Sequence, residues 1–212
     1  MITMTKPFTG KEWIFTIAML GCFFFIEGCG GSKPSRFYTL SSVRGVTGNF
    51  KTDPLLTHIA IGIRTLKLPE YLLRDQLIAR TEGDQMVISE FDRWAEPLEA
   101  NFKRVLIEDL SNDIPTNNIF LFPAKDTSVI NYQLLLEVTE FELKENNTVT
   151  LSARWGLDMG EGIVFLMDKK SSFSEQISST HHEDIVAAMS RLTEKLSAEL
   201  AQEVRSRVHS GK

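Results

Sequence analysis

Two cysteines, Cys22 and Cys29, are the only thiols in this chain of 212 residues, and both stand near its start. A thiolate can pair in a disulfide, ligate a metal or act as a nucleophile, and what surrounds it decides between these. Lys6 and Lys11 precede a nearly unbroken apolar run over residues 13–26, which ends in Glu27, Gly28 and Cys29. Roughly 14 apolar residues suit the h-region of a secretory leader and fall short of the ~20 needed to span a bilayer as a helix. An uncleaved N-terminal anchor with two incidental cysteines is the alternative, and that length serves it poorly. The string after Cys29, Gly-Gly-Ser-Lys-Pro-Ser, is small and polar and has neither helical nor strand character.

A small residue directly before a cysteine resembles the lipobox of bacterial lipoproteins. Ile26 stands three positions before Cys29 and Gly28 just before it, while Glu27 departs from the small or uncharged residue usual there. The resemblance implies that Cys29 carries a thioether-linked diacylglycerol, becomes the new N-terminus and is then N-acylated. Two or more acyl chains hold a protein at a membrane firmly, where one gives only marginal binding. Met19-Leu20-Gly21-Cys22 is a competing box, but cleavage there would leave a short h-region and a mature chain beginning with three phenylalanines. Cys29 is therefore the expected lipidation site. The chain divides into a signal peptide (1–28), a polar tether (29–35) and one domain (36–212). Gly30, in place of aspartate, resembles cargo sorted to the outer membrane.

Other side chains that could do chemistry are few. His181-His182-Glu183-Asp184 offers imidazole and carboxylate ligands. Adjacent histidines on a helix diverge by about 100° and rarely share one ion, so the acidic start of a helix is the expected reading. Arg93, Trp94 and Glu96 cluster at a strand-to-helix turn and are candidate partner-binding residues, since Trp and Arg are common interface anchors. The alternative buries the Trp94 ring under the helix and pairs Arg93 with Glu96. Gly160-Glu161-Gly162 reads as a turn. The sequence contains no G-x-S-x-G elbow, P-loop, dinucleotide fingerprint or H-E-x-x-H pair, and no serine or cysteine nucleophile can be assigned to His58.

The elements that must position these residues follow from periodicity. With 23 Lys+Arg against 28 Asp+Glu, the net charge is -5, which leaves no basic surplus to hold a phosphate backbone and argues against nucleic acid as a partner. Strands are expected at residues 36–40, 58–63, 76–80, 85–89, 118–122, 131–144, 148–158, 163–169 and 171–179, with a loop over 41–56 and a turn or short helix at 69–73. The segment 76–89 has a hairpin signal at Glu82-Gly83-Asp84. Pro97 suits the first position of a helix carrying Leu98, Phe102, Val105, Leu106 and Leu110. A long C-terminal helix over about 183–209 carries Ile185, Met189, Leu192, Leu196, Leu200, Val204 and Val208 in one stripe. That stripe reads as a core face, a partner or second-copy seam being the alternative, and the opposite charged face reads as solvated. The expected fold is α/β, one domain with a mixed sheet and few helices.

Behind the lipobox, Arg36-Phe37-Tyr38-Thr39-Leu40, Ile61-Gly62-Ile63, Leu68-Pro69-Glu70-Tyr71-Leu72 and Arg93-Trp94-Ala95-Glu96-Pro97-Leu98 occur in order. Together they resemble the ABC-type transport auxiliary lipoproteins of the PqiC/YmbA type, with Arg74-Asp75 replacing the frequent Arg-Pro. The resemblance covers nearly all of the chain after the leader. It implies a three-layer α/β fold similar to the TolB N-terminal domain, no cofactor and no enzymatic activity. It further implies a lipoprotein on the periplasmic face of the outer membrane. There it would dock an MCE-domain (mammalian cell entry) protein and its inner-membrane transporter components, which move lipids between membranes. A structural or assembly lipoprotein that never contacts cargo is the second reading. A periplasmic hydrolase or binding enzyme is the third.

Overall fold

A computed structural model describes residues 33–43, 53–81, 85–122, 130–159 and 168–211. The folded unit, Ser35–Lys212, runs β1 (Arg36–Tyr38), α1 (Pro54–Thr57), β2 (Ile61–Lys67), a 3-10 turn (Glu70–Leu72), β3 (Gln76–Arg80), β4 (Met86–Trp94), α2 (Leu98–Asp113), β5 (Ile119–Leu121), β6 (Tyr132–Lys144), a second 3-10 turn (Glu145–Asn147), β7 (Thr148–Met159), β8 (Lys169–Gln176) and α3 (His182–Ser210). It is an α/β fold with one mixed sheet of eight strands.

Strand β6 is the spine of the sheet. On one edge it pairs antiparallel with β7 along its whole length, from Tyr132↔Met159 to Lys144↔Thr148, and β8 follows β7. On the other edge its first half pairs with β2, parallel, and its second half meets β3 at Leu143. Beyond β2 lies β5; beyond β3 lie β4 and then β1. An irregularity between Val138 and Glu140 leaves Thr139 as an extra residue in β6. The buried apolar residues are Tyr132, Leu134, Leu136 and Val138 before it, and Phe141 and Leu143 after it. Even positions give way to odd ones, so the bulge keeps one face apolar along a strand that is also bent. The other face of β6 is mostly polar: Glu137 pairs with Arg154, Glu140 with Lys144, and buried Glu142 with Arg80 at 2.6 Å.

Helices α2 and α3 pack on each other, and α3 lies on β6, β7 and β8. In α2, Leu98, Phe102, Val105, Leu106 and Leu110 face inward, and Phe102 meets Phe141 of β6 edge-on at 5.4 Å. In α3 the stripe from Ile185 to Val204 is buried, as its spacing requires. Each such leucine contributes about 1.5–3 kcal/mol by leaving water. The charged face of α3 is not simply solvated. Arg191 and Lys195 reach Glu175 of β8, and Lys169 of β8 reaches Glu203, clamping the helix over the outermost strand of the meander. Gly211, at φ +66, closes the helix with its amide on the Arg207 and Val208 carbonyls.

Several boundaries differ from the sequence expectation, each for a local reason. The strand expected at 58–63 occupies Ile61–Lys67, because the backbone just before it is held by side chains. Thr116 donates to the Ile59 carbonyl at 2.7 Å, and Asn131 accepts from the Ala60 amide at 2.7 Å. The expected loop over 41–56 ends in α1, which Asp53 caps through the Leu55 amide. Strand β4 does not stop at 89; it continues to Trp94, where β1 pairs with it. Pro97 is the cap of α2 rather than its first residue. Strand β8 ends at Gln176, opposite Thr148, the first residue of β7, because Asn147 just before it leaves the strand conformation at φ 56. Residues 160–167, which hold the Gly160 turn and most of the strand expected at 163–169, lie outside the described residues.

One buried group is left electrostatically exposed to pH. Asp109 of α2 is 1% accessible and no short, well-aligned hydrogen bond reaches its carboxylate oxygens. Burial pushes its carboxyl up to about 6 against a lowering contact from Ser42, and the carboxylates of Glu194, Glu108 and Asp113 push it further the same way. Between about pH 4 and this raised value the folded chain holds a proton that the unfolded chain has released, so stability falls as pH rises through that window. Asp109→Asn removes the cost. Urea unfolding at pH 7.5 is expected to show a gain of roughly 1–3 kcal/mol, and the wild-type slope between pH 4 and 6 is expected to flatten. An unchanged slope would sink this account.

Candidate functional site

The β3–β4 hairpin carries an irregularity in β4 between Ile88 and Arg93. Within it the Ser89 hydroxyl donates to Asp92 Oδ2 at 2.7 Å, and the Asp92 amide donates back to Ser89 Oγ at 3.3 Å. The kink turns Asp92 and Trp94 inward, and Asp92 is only 5% exposed. A carboxylate this buried needs partners. Arg36 Nε donates to its Oδ1 at 2.7 Å and the Tyr38 hydroxyl to the same oxygen at 3.0 Å, both from β1. His182, in the first turn of α3, places Nδ1 3.4 Å from Oδ2. The Tyr38 hydroxyl also lies 3.3 Å from Glu183. One carboxylate thus joins β1, β4 and the start of α3.

Its electrostatics follow. Burial would raise the Asp92 carboxyl, but hydrogen bonds from Arg36, Ser89 and Tyr38, with His182 close by, outweigh it and hold the group at about 2. The same contact works oppositely on Tyr38, which burial and the neighbouring carboxylate push up to about 12. A carboxylate held this low is a poor general base near neutrality. Ser89 gives its proton to Asp92 rather than to His182, so the Ser, His and Asp here are not wired as a nucleophile–base relay. The arrangement is suited to holding elements together.

Beside this node lies a cleft of about 150 Å³. Leu77, Trp94, Leu98, Phe141, Ile185 and Met189 wall it, and Gln76, Ser89 and His182 add polar groups to the lining. Val87 lines it and is 48% exposed, marking the opening.

The residues singled out from sequence are dispersed around this cleft. Trp94 is buried and forms part of its wall. Glu96 faces α2 instead, accepting from Asn101 Nδ2 at 2.9 Å and from Arg104 at 2.8 Å. Arg93 lies on the face of β4 opposite Trp94, level with Phe37, and its buried Nε has no hydrogen-bond partner. His181 caps α3 and bonds Ser179 at 2.7 Å, while His182 turns to Asp92. Cys29 lies outside the described residues. Sequence reasoning missed Asp92 as the centre. Its signal was a carboxylate in a strand directly before an inward-facing tryptophan, with a serine three residues earlier.

Comparison with known proteins matches residues 38–201 to the family described as the ABC-type transport auxiliary lipoprotein component. The chain belongs to this family. It is 23% identical to the intermembrane transport lipoprotein PqiC of Escherichia coli K12 over 92% of this chain and 98% of that protein, and equally to PqiC of Shigella flexneri. A crystal structure of a Xanthomonas campestris protein superposes with a TM-score of 0.63 at 12% identity, covering 84% of this chain and all of that one. A second, of an uncharacterised protein, gives 0.65 at 18% identity over 81% and 99%. The two superpositions show the α/β fold, while the family match makes the chain a transport auxiliary lipoprotein component. Among the described residues no helix is long and apolar enough to cross a membrane.

The Asp92 node makes a prediction with a definite sign. A carboxylate lowered in the folded state stabilises above its ordinary range and loses that contribution as pH falls from about 4 towards 2. Asp92→Ala leaves Tyr38 and Ser89 short of a partner and is expected to cost roughly 2–4 kcal/mol at neutral pH. Thermal melts should show the difference from wild type shrinking below about pH 3; a constant difference across pH would contradict the node.

Proposed function

We propose that this chain is an outer-membrane lipoprotein, acylated at Cys29, that docks an MCE-domain protein at the far end of an intermembrane lipid transport system. The observation that carries this is the lipobox-like Cys29 standing just ahead of a domain that matches the auxiliary lipoprotein family from residue 38. The relatives named intermembrane transport lipoprotein support the transport role. Gly30 supports the outer membrane over the inner one. No reaction is assigned, because the best-organised polar cluster is occupied in holding β1, β4 and α3 together. Its partners are then the membrane through its anchor, the MCE-domain protein, and the inner-membrane components behind it.

Two measurements test the proposal. Mass spectrometry of the purified mature protein should find an acylated cysteine at position 29 as its N-terminus, and Cys29→Ala should abolish both the lipid mass and cleavage at that position. Detergent-solubilised, tagged wild type should capture an MCE-domain protein. An unmodified Cys29, or a tagged protein that never captures such a partner under native conditions, would overturn it.

A further inference from the structure

The cleft beside Asp92 has room for about six carbons, since a dry apolar cavity of this volume accepts a six-carbon ring. Most of its lining is apolar, and of its three polar residues Ser89 and His182 already face Asp92, Gln76 being the third. The walls therefore offer little to satisfy an amide or hydroxyl carried inside. Behind Ser89 and His182, outside the lining itself, Arg36 and Asp92 neutralise one another. Apolar surface nevertheless continues outward, because Val87 both lines the cleft and is nearly half exposed. Met189, unbranched and adaptable, forms part of the wall.

We propose that this cleft binds the methyl end of a single acyl chain of a membrane amphiphile, with the headgroup left outside. A chain longer than the cavity can lay its next methylenes on Val87, whereas a peptide side chain of the same size would bring polar backbone against that apolar rim. Supply of the ligand rests on the acylation proposed above. About seven residues separate Cys29 from Arg36, a reach of at most about 25 Å, so an anchor at Cys29 keeps the cleft close to lipid.

The test uses the full chain in phosphatidylcholine vesicles containing lysophosphatidylcholine with a photoreactive diazirine near its methyl end. After illumination, adducts should concentrate on peptides carrying Leu77 and Ala79 and on those carrying Ile185 and Met189, and unlabelled lysophosphatidylcholine should compete. Ala79→Phe fills the cavity and should lower labelling at least fivefold. Val87→Trp, at a half-exposed position that spares folding, should do the same by closing the mouth. Absent labelling, labelling spread evenly over the surface, or labelling undiminished in the folded Val87→Trp chain would overturn the proposal. So would protection by an MCE-domain protein with no competition from unlabelled lysolipid, which would assign the cleft to a peptide. Failure here leaves Cys29 acylation and partner capture, each read separately, unaffected.

Discussion

The rest of the domain depends on one irregularity in one strand. Without the extra residue at Thr139, a strand as long as β6 would present Tyr132, Leu134, Leu136 and Val138 to the core and turn Phe141 and Leu143 to the opposite side. The bulge restores the face and also redirects the strand, so its two halves accept different neighbours, β2 first and β3 second. That division produces the two wings of the sheet. It places the β3–β4 hairpin beside the start of α3, where the cleft forms, and lets Phe141 meet Phe102 beneath α2.

The first strand of the domain could not hold itself. Three residues of parallel pairing with β4 are a weak ladder. Buried polar side chains supply what it lacks. Asp92 takes Arg36 and Tyr38, and fully buried Asn101 of α2 accepts from the Leu40 amide at 2.6 Å and reaches the Leu40 carbonyl at 3.3 Å. Ser190 of α3 then accepts from the Ser41 amide. Residues 36–41 are thus pinned in turn to β4, α2 and α3. Any pull delivered through the residues before Arg36 would be resisted by charge-assisted bonds rather than by the ladder alone.

Much of this was legible in the sequence, and the reasons are specific. The meander after residue 131 showed because its alternation is long and its Asn-Asn turn is one of the few pairs that tolerate positive φ, as Asn146 and Asn147 do at 60° and 56°. The parity of the apolar residues changes between Val138 and Phe141, but parity alone does not say whether a strand bulges or ends, and only the pairing with β7 shows the bulge. Helices α2 and α3 showed because their apolar spacing is strict. What did not show was set by long-range hydrogen bonds. The start of β2 depends on Thr116 and Asn131, and the role of Asp92 depends on residues from 3 to 90 positions away. Arg93, Trp94 and Glu96 were conspicuous together in sequence, but a strand end and a cap separate them into an outer face, a cavity wall and a clamp on α2.

The node and the cleft also explain one another. A cavity lined by aliphatic side chains collapses when its walls are free to move, and the energy at stake grows with the volume left empty. Here the walls are not free. Ile185 and Met189 sit on a helix whose first turn faces Asp92 through His182, and Trp94 sits two residues from Asp92 on the strand that Arg36 and Tyr38 tie down. Burying Asp92 costs desolvation, which three hydrogen bonds offset. An aliphatic residue there would pack without that cost, but it would not fix the start of α3 relative to the β3–β4 hairpin. An ionised, fully engaged carboxylate therefore fixes the elements that wall this apolar space.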